Sequence, residues 1–148
     1  MSRILCYADA VNSNHVLTAI SLVDPTQFNQ WWGGALIDTG AQMTIVSPWI
    51  WTLSGSPGHI TGQVGISGLG SDPTVYRKVR LPVLGMGTAA GYEMFADVEV
   101  AVGPTIGQVM AIIGGDILRL CGAFLLDYGP PPWGETRAAA ASAVSRAP

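Results

Sequence analysis

The stretch GGALIDTGAQMTIVS, residues 33–47, places one carboxylate, Asp38, in an otherwise uncharged run. Ionised carboxylates are rarely buried without a partner, because leaving water disfavours the charged form. Ala35, Leu36 and Ile37 lead into Asp38-Thr39-Gly40, and the β-branched pair Ile45-Val46 follows between Thr44 and Ser47. A strand, a tight turn permitted by glycine and a second strand fit this order. The aspartate then stands at the end of a buried strand, where its position is fixed.

A carboxylate so placed suits peptide-bond hydrolysis only in a pair. One carboxylate acts as general base on a water while the other, protonated, donates to the carbonyl oxygen. Two such groups a few ångströms apart cannot both ionise, so their apparent pKa values split. The chain has a single Asp-Thr-Gly, and its other acids (Asp9, Asp24, Asp72, Glu93, Asp97, Glu99, Asp116, Asp127 and Glu135) sit in different contexts. The second carboxylate must therefore come from another chain, and a symmetric homodimer brings two copies of Asp38 to one axis. The competing reading makes Asp38 a turn residue that bonds local backbone.

Composition narrows the alternatives. The 148 residues suffice for one domain with its own core. Apolar residues make up 49% and charged residues only 11%, against about 25% charged in an average chain. Such a sparsely charged surface is expected to be covered partly by a partner, most simply a second copy. A net charge of -3 and one short basic cluster, Arg77-Lys78-Val79-Arg80, exclude a nucleic-acid face. No apolar run reaches the ~18 residues of a membrane span, and Met1–His15 is too polar for a signal peptide. These features predict a soluble, cytoplasmic protein that binds neither nucleic acid nor membrane. Cys6 and Cys121 form no disulfide framework, and isolated His15 and His59 offer no metal site. No cofactor is expected: GMGTAA (85–90) matches a dinucleotide-binding pattern, but the strand-like YEMFADVEVAV follows it instead of the required helix.

Nineteen glycines, ten prolines and short apolar segments predict many strands joined by turns. Strand patterns run through VLTAISLV (16–23), WWGGALI (31–37), MTIVS (43–47), YEMFADVEVAV (92–102), GQVMAII (107–113) and AFLLDY (123–128). In 92–102 the apolar members are Phe95, Val98, Val100 and Val102. GHITGQVGISGLGSDPTVYRKVRLPVL reads as a strand, a glycine-rich tip and a return strand. GGDILRLCG is the best helix, with Asp116 at its start as a cap, and SPWIWTL allows a helical turn with serine at the N-cap and proline at N1. Trp31, Trp32, Trp49 and Trp51 are expected as core or interface anchors. Residues 1–15 form an N-terminal extension, 16–128 the domain, and 129–148 a Pro/Ala-rich flexible tail without apolar periodicity.

Three landmarks in order, ALIDTGAQMTIVS (35–47), VGISGLG (64–70) and AIIGGDILRLCG (111–122), make residues 16–128 resemble the retropepsin-like, single-domain aspartic proteases. The resemblance implies an all-β fold, a closed barrel with one short C-terminal helix and half an active site per subunit. It implies a homodimeric aspartic endopeptidase acting on peptide or protein substrates. Asp38 would be catalytic, supported by Thr39, Gly40 and Ala41, with Thr39 interlocking the two halves and Gly40 contacting substrate. Leu36, Ile45 and Ile112 would line side-chain pockets. Gly65, Ile66, Ser67, Gly68 and Leu69 would form the tip of a flap that closes over the peptide. AFLLDY would pair with chain ends in the dimer sheet.

Two positions depart from the pattern. Relatives commonly carry an acidic residue where Gln42 stands and an arginine where Gly115 stands, and the two form an ion pair near the dimer interface. Both charges are absent here, so neither is left alone. The alternative function is a catalytically silent dimerisation or peptide-binding module of the same fold.

Overall fold

The glycine- and proline-punctuated segments become strands, and six of them close on themselves. The computed structural model of the chain describes residues 3–8, 16–24, 26, 29–68, 72–88, 91–106, 109–121, 124–126 and 143–146. In chain order these are β1 (Arg3–Ala8), β2 (Val16–Asp24), β3 (Asn29–Ile37), β4 (Ile45–Val46), α1 (Pro48–Leu53), β5 (His59–Ile66), β6 (Thr74–Thr88), β7 (Gly91–Val102), β8 (Ala111–Ile113), α2 (Gly115–Leu120), β9 (Phe124–Leu126) and β10 (Ala143–Arg146).

Strand β2 pairs with β3 in antiparallel fashion from Leu17↔Leu36 to Asp24↔Asn29. β3 runs parallel to β8, which pairs with β4, which runs parallel to β7. β7 pairs with β6, and β6 returns to β2 through Ile20↔Met86 and Val23↔Val83. This ring is a closed, mixed barrel of six strands. Closure depends on β6 changing neighbours. Its first half pairs with β5 up to Arg80 and its second half with β2 from Val83. Pro82 sits at the switch, where a residue without an N–H breaks the ladder at least cost.

The barrel interior holds Ile20, Leu22, Val46, Val79, Leu81, Leu84, Met86, Val100 and Ile113, with Ile50 of α1 and Ile117 of α2 closing it. Phe95, Val98, Val100 and Val102 of β7 are buried as their pattern predicts. The three-residue step from Phe95 to Val98 interrupts the strand period. Asp97 falls within it and adopts a left-handed backbone, φ 54°, which sends Val98 back to the core side.

Both expected helices form. Ser47 caps α1, accepting from the Ile50 N–H at 3.3 Å, with Pro48 at the first position. The cap of α2 differs from expectation: it is Gly114, without a side-chain bond, and Asp116 lies inside the first turn. Of GQVMAII, Ala111–Ile113 form β8, buried throughout. Trp32 and Trp49 are exposed instead of forming core. Trp32 lies against Tyr92, ring centroids 5.4 Å apart, and half-buried Trp51 donates from Nε1 to the Pro57 carbonyl at 3.0 Å.

Two further strands come from near the chain ends. Within the N-terminal extension, β1 pairs with β2. Within the segment expected as a flexible tail, Ala143–Arg146 form β10 between β1 and β9. Edge strands leave backbone N–H and C=O groups unpaired, and an added strand satisfies them without any apolar periodicity of its own. Among the described residues no helix is long and apolar enough to cross a membrane.

Candidate active site

Asp38 leaves the end of β3 and is tied at once to the neighbouring strand, its backbone N–H donating to the Ile113 carbonyl of β8 at 3.0 Å. The loop then turns on its own carboxylate. Gly40 N–H donates to Asp38 Oδ1 at 2.9 Å, and Ala41 N–H to the Asp38 carbonyl at 3.2 Å. A Cβ on Gly40 would stand 3.3 Å from Asp38 Oδ1, so glycine lets the backbone approach the carboxylate. Asp38 is half-buried, while Thr39 and Gly40 are exposed. No described residue donates to Asp38 Oδ2, and the Thr39 hydroxyl has no partner among the described residues.

The far side of the loop is braced by α2. Gly115 N–H donates to the Ala41 carbonyl at 2.7 Å. Thr44 donates from its backbone N–H and its hydroxyl to the two carboxylate oxygens of Asp116, at 2.9 and 2.7 Å. Gly114 N–H completes the knot by donating to Thr44 Oγ1 at 3.0 Å. Asp116 also accepts from the Ile117 N–H at 2.8 Å, so its carboxylate both serves the helix start and clamps the loop. Reading the sequence locally gave Asp116 only the first of these roles. The available signal was a hydroxyl residue six positions after Asp38 and an acid after a glycine pair, far apart in sequence.

Leu36, Ile45 and Ile112 come together with Leu17, Tyr76 and Ala101 in a second apolar cluster. All three are buried. Val64 and Ile66 of the β5–β6 hairpin pack against this cluster. The strand period explains it: Gly62, Val64 and Ile66 are half-buried while Thr61, Gln63 and Gly65 are exposed. The hairpin thus lies over the floor built by β3, β4 and β8. Ser67 and Gly68 follow β5 and are exposed; Leu69 lies outside the described residues.

Two cavities flank Gln42. One, of about 290 Å³, adjoins Thr39, Gly40, Ala41, Gly115, Leu118 and Arg119. The other, of about 890 Å³, lies between β5 and β7 (Val64, Asp97, Glu99) and α2 (Asp116, Ile117, Leu120). Arg119 faces both. Its Nε donates to the Gly115 carbonyl at 2.9 Å, which returns a guanidinium to the neighbourhood of Gly115 from one turn further along. Across the hairpin base, Glu99 meets Lys78 at 2.9 Å and accepts from the Thr61 hydroxyl at 2.9 Å. The Lys78 hydrogen bond, then that of Thr61, holds the Glu99 carboxyl below its ordinary value. Among the described residues no group of three His, Cys, Asp or Glu side chains could hold a metal ion.

A six-stranded mixed barrel with an Asp-Thr-Gly loop that leaves β3 and is braced by the helix after β8 is a retropepsin-like fold. The chain is similar to the crystal structure of a retropepsin-like aspartic protease from Rickettsia conorii, at 16% identity over 84% of each chain with a TM-score of 0.54. No protein-family model and no curated protein sequence matches the chain.

Proposed function

We propose that the chain is one half of an aspartic endopeptidase, completed by a second copy of itself. One observation carries the reading. Asp38 is held at the mouth of the barrel by Gly40 and Ile113, with Oδ2 unpartnered among the described residues. A carboxylate positioned through one oxygen and open at the other suits a shared proton or a bound water. The solved neighbour bears the name of an aspartic protease, which favours hydrolysis over a silent module.

In the dimer, the two Asp38 side chains share one proton and hold a water between them. The ionised one takes a proton from the water as it attacks the peptide carbonyl, and the protonated one donates to the carbonyl oxygen. Thr39, exposed and unpartnered among the described residues, interlocks with its twin. The β5–β6 hairpin acts as a flap over an extended peptide, with Gly65 to Leu69 at its tip and Gly40 below. The floor of Leu36, Ile45 and Ile112 sets an apolar preference beside the scissile bond.

The test uses the full chain, a peptide library and pH values from about 3 to 7, which span carboxylate and histidine titration. Cleavage is expected at the acid end, and Asp38→Asn is expected to lower it by at least about a hundredfold. An unchanged rate in folded, dimeric Asp38→Asn would overturn the assignment. Peptide binding without cleavage at any pH would favour the silent module.

A further inference from the structure

We propose that β10 occupies, within one chain, the seat of a second copy's β9, so that residues 143–146 give way when the dimer forms. The inference rests on the reading of the chain as half of an active site, completed by its twin. At one end of the sheet the strand order is β2-β1-β10-β9. β10 lies between β1 and β9 and is antiparallel to both, in the rows Arg3–Ser145–Leu125 and Ile4–Val144–Leu126. Among the described residues β9 pairs with no other strand. Without β10, a gap one strand wide separates β1 from β9 by about 9–10 Å. Unpaired N–H and C=O groups then border it on both sides.

A strand antiparallel to β9 restores both ladders. Across a two-fold axis normal to the sheet, the twin of β9 runs antiparallel to β9, so it enters the seat in the direction that β10 has. By the same symmetry β9 fills the seat of the partner. One sheet results, in the order β1, twin of β9, β9, twin of β1, and the contact is self-complementary as a two-fold interface must be. The twin also brings more apolar substance, since β9 is Phe-Leu-Leu and β10 is Ala-Val-Ser-Arg. β10 competes through its tether: residues 127–142 join it to β9 in the same chain, which makes its return intramolecular. Formation of the two-carboxylate site thus sets a tethered, weaker strand against an untethered, stronger one. If β10 fills its seat about nine-tenths of the time, each chain is competent for about a tenth of it. Two seats must open, so the dimer is weakened about a hundredfold.

Ser145→Pro in the full chain tests this, because a proline inside β10 removes an N–H and disrupts the ladder. Analytical ultracentrifugation is expected to show a dimer at least about tenfold tighter than that of the parent, and cleavage per chain should level off at a correspondingly lower concentration. An unchanged dimer affinity overturns the inference. So does a weaker one, the mark of a β10 that stays in the dimer, in its own chain or exchanged into the partner. Hydrogen exchange on the parent chain gives a readout that needs no variant. Amides of 143–146 should lose protection as concentration rises through the dimerisation range, while those of 124–126 keep theirs. Equal or greater protection of 143–146 in the dimer overturns the inference. Dimerisation and Asp38-dependent cleavage that are both indifferent to Ser145→Pro defeat this inference alone. Parent and variant chains that stay monomeric at every concentration defeat it together with the reading on which it rests.

Discussion

Thr44 and Asp116 are joined twice, the threonine N–H and hydroxyl each donating to one oxygen of the aspartate, at 2.9 and 2.7 Å. The bond pair ties the loop that begins at Asp38 to the helix that follows β8. Thr44 is fully buried, and Gly114 N–H depends on its hydroxyl. Thr44→Val leaves a buried N–H and a carboxylate oxygen without their partner, and is expected to cost about 1–3 kcal/mol. Thr44→Ser keeps the hydroxyl and should stay near the parent. Urea unfolding at fixed protein concentration measures both, and equal stabilities for the serine and valine variants would contradict the role of the hydroxyl.

Adjacent glycines should respond in opposite directions. A Cβ at Gly114 would stand 2.8 Å from the Met43 carbonyl and 2.9 Å from that of Ala41. Those are backbone atoms of the braced loop and have no room to yield. Gly114→Ala is expected to lose about 1–3 kcal/mol and to depress cleavage by shifting the loop. At Gly115 the nearest atoms are at 3.5 Å, and the residue opens α2. Gly115→Ala should be neutral or stabilising by up to about 1 kcal/mol. Thermal melts of the two variants separate the cases.

The Glu99 cluster predicts an acid-side loss of stability. Lys78 and Thr61 hold its carboxyl below the ordinary value of 4.5 in the folded chain. A depressed folded pKa means that the stabilisation is complete above the unfolded value and fades as pH falls through the folded one. Glu99 lies near the surface, so the effect is small, about 1–4 °C in Tm. Glu99→Gln should melt below the parent at pH 7, and the gap should narrow as pH falls through the folded pKa. A gap that widens toward acid would reverse the sign of this prediction.

If each active site takes one Asp38 from each of two chains, activity must follow the dimer. Rate per chain should rise with concentration and then level off. Mixing parent and Asp38→Asn chains in equal amounts, with full exchange, should leave about a quarter of the activity, since random pairing makes one dimer in four fully competent. Three quarters would remain if one carboxylate per dimer sufficed, and half if each chain worked alone.

Much of this molecule was legible in short segments. The strand patterns of β2, β3 and β7, the serine cap and proline of α1, and the helix after Ile113 follow from spacing and turn chemistry that act over a few residues. The closed barrel was legible only through the order of three landmarks. The candidate aspartate was visible because a charge in an apolar strand needs a reason, whereas Thr44, Asp116 and Arg119 were not, since each acts on a residue brought near by the fold.

The sequence by itself determined that the chain is strand-rich, that one Asp-Thr-Gly stands at a strand end, and that any second carboxylate must come from elsewhere. These are consequences of side-chain chemistry along the chain. Tertiary structure alone decided which strands close the ring, with Pro82 at the exchange of partners. It also brought Asp116 to Thr44 and turned Arg119 back to Gly115, and it drew Ala143–Arg146 into the sheet. Backbone donors and buried polar groups find their partners in space, so which partner satisfies them is settled only when the barrel closes.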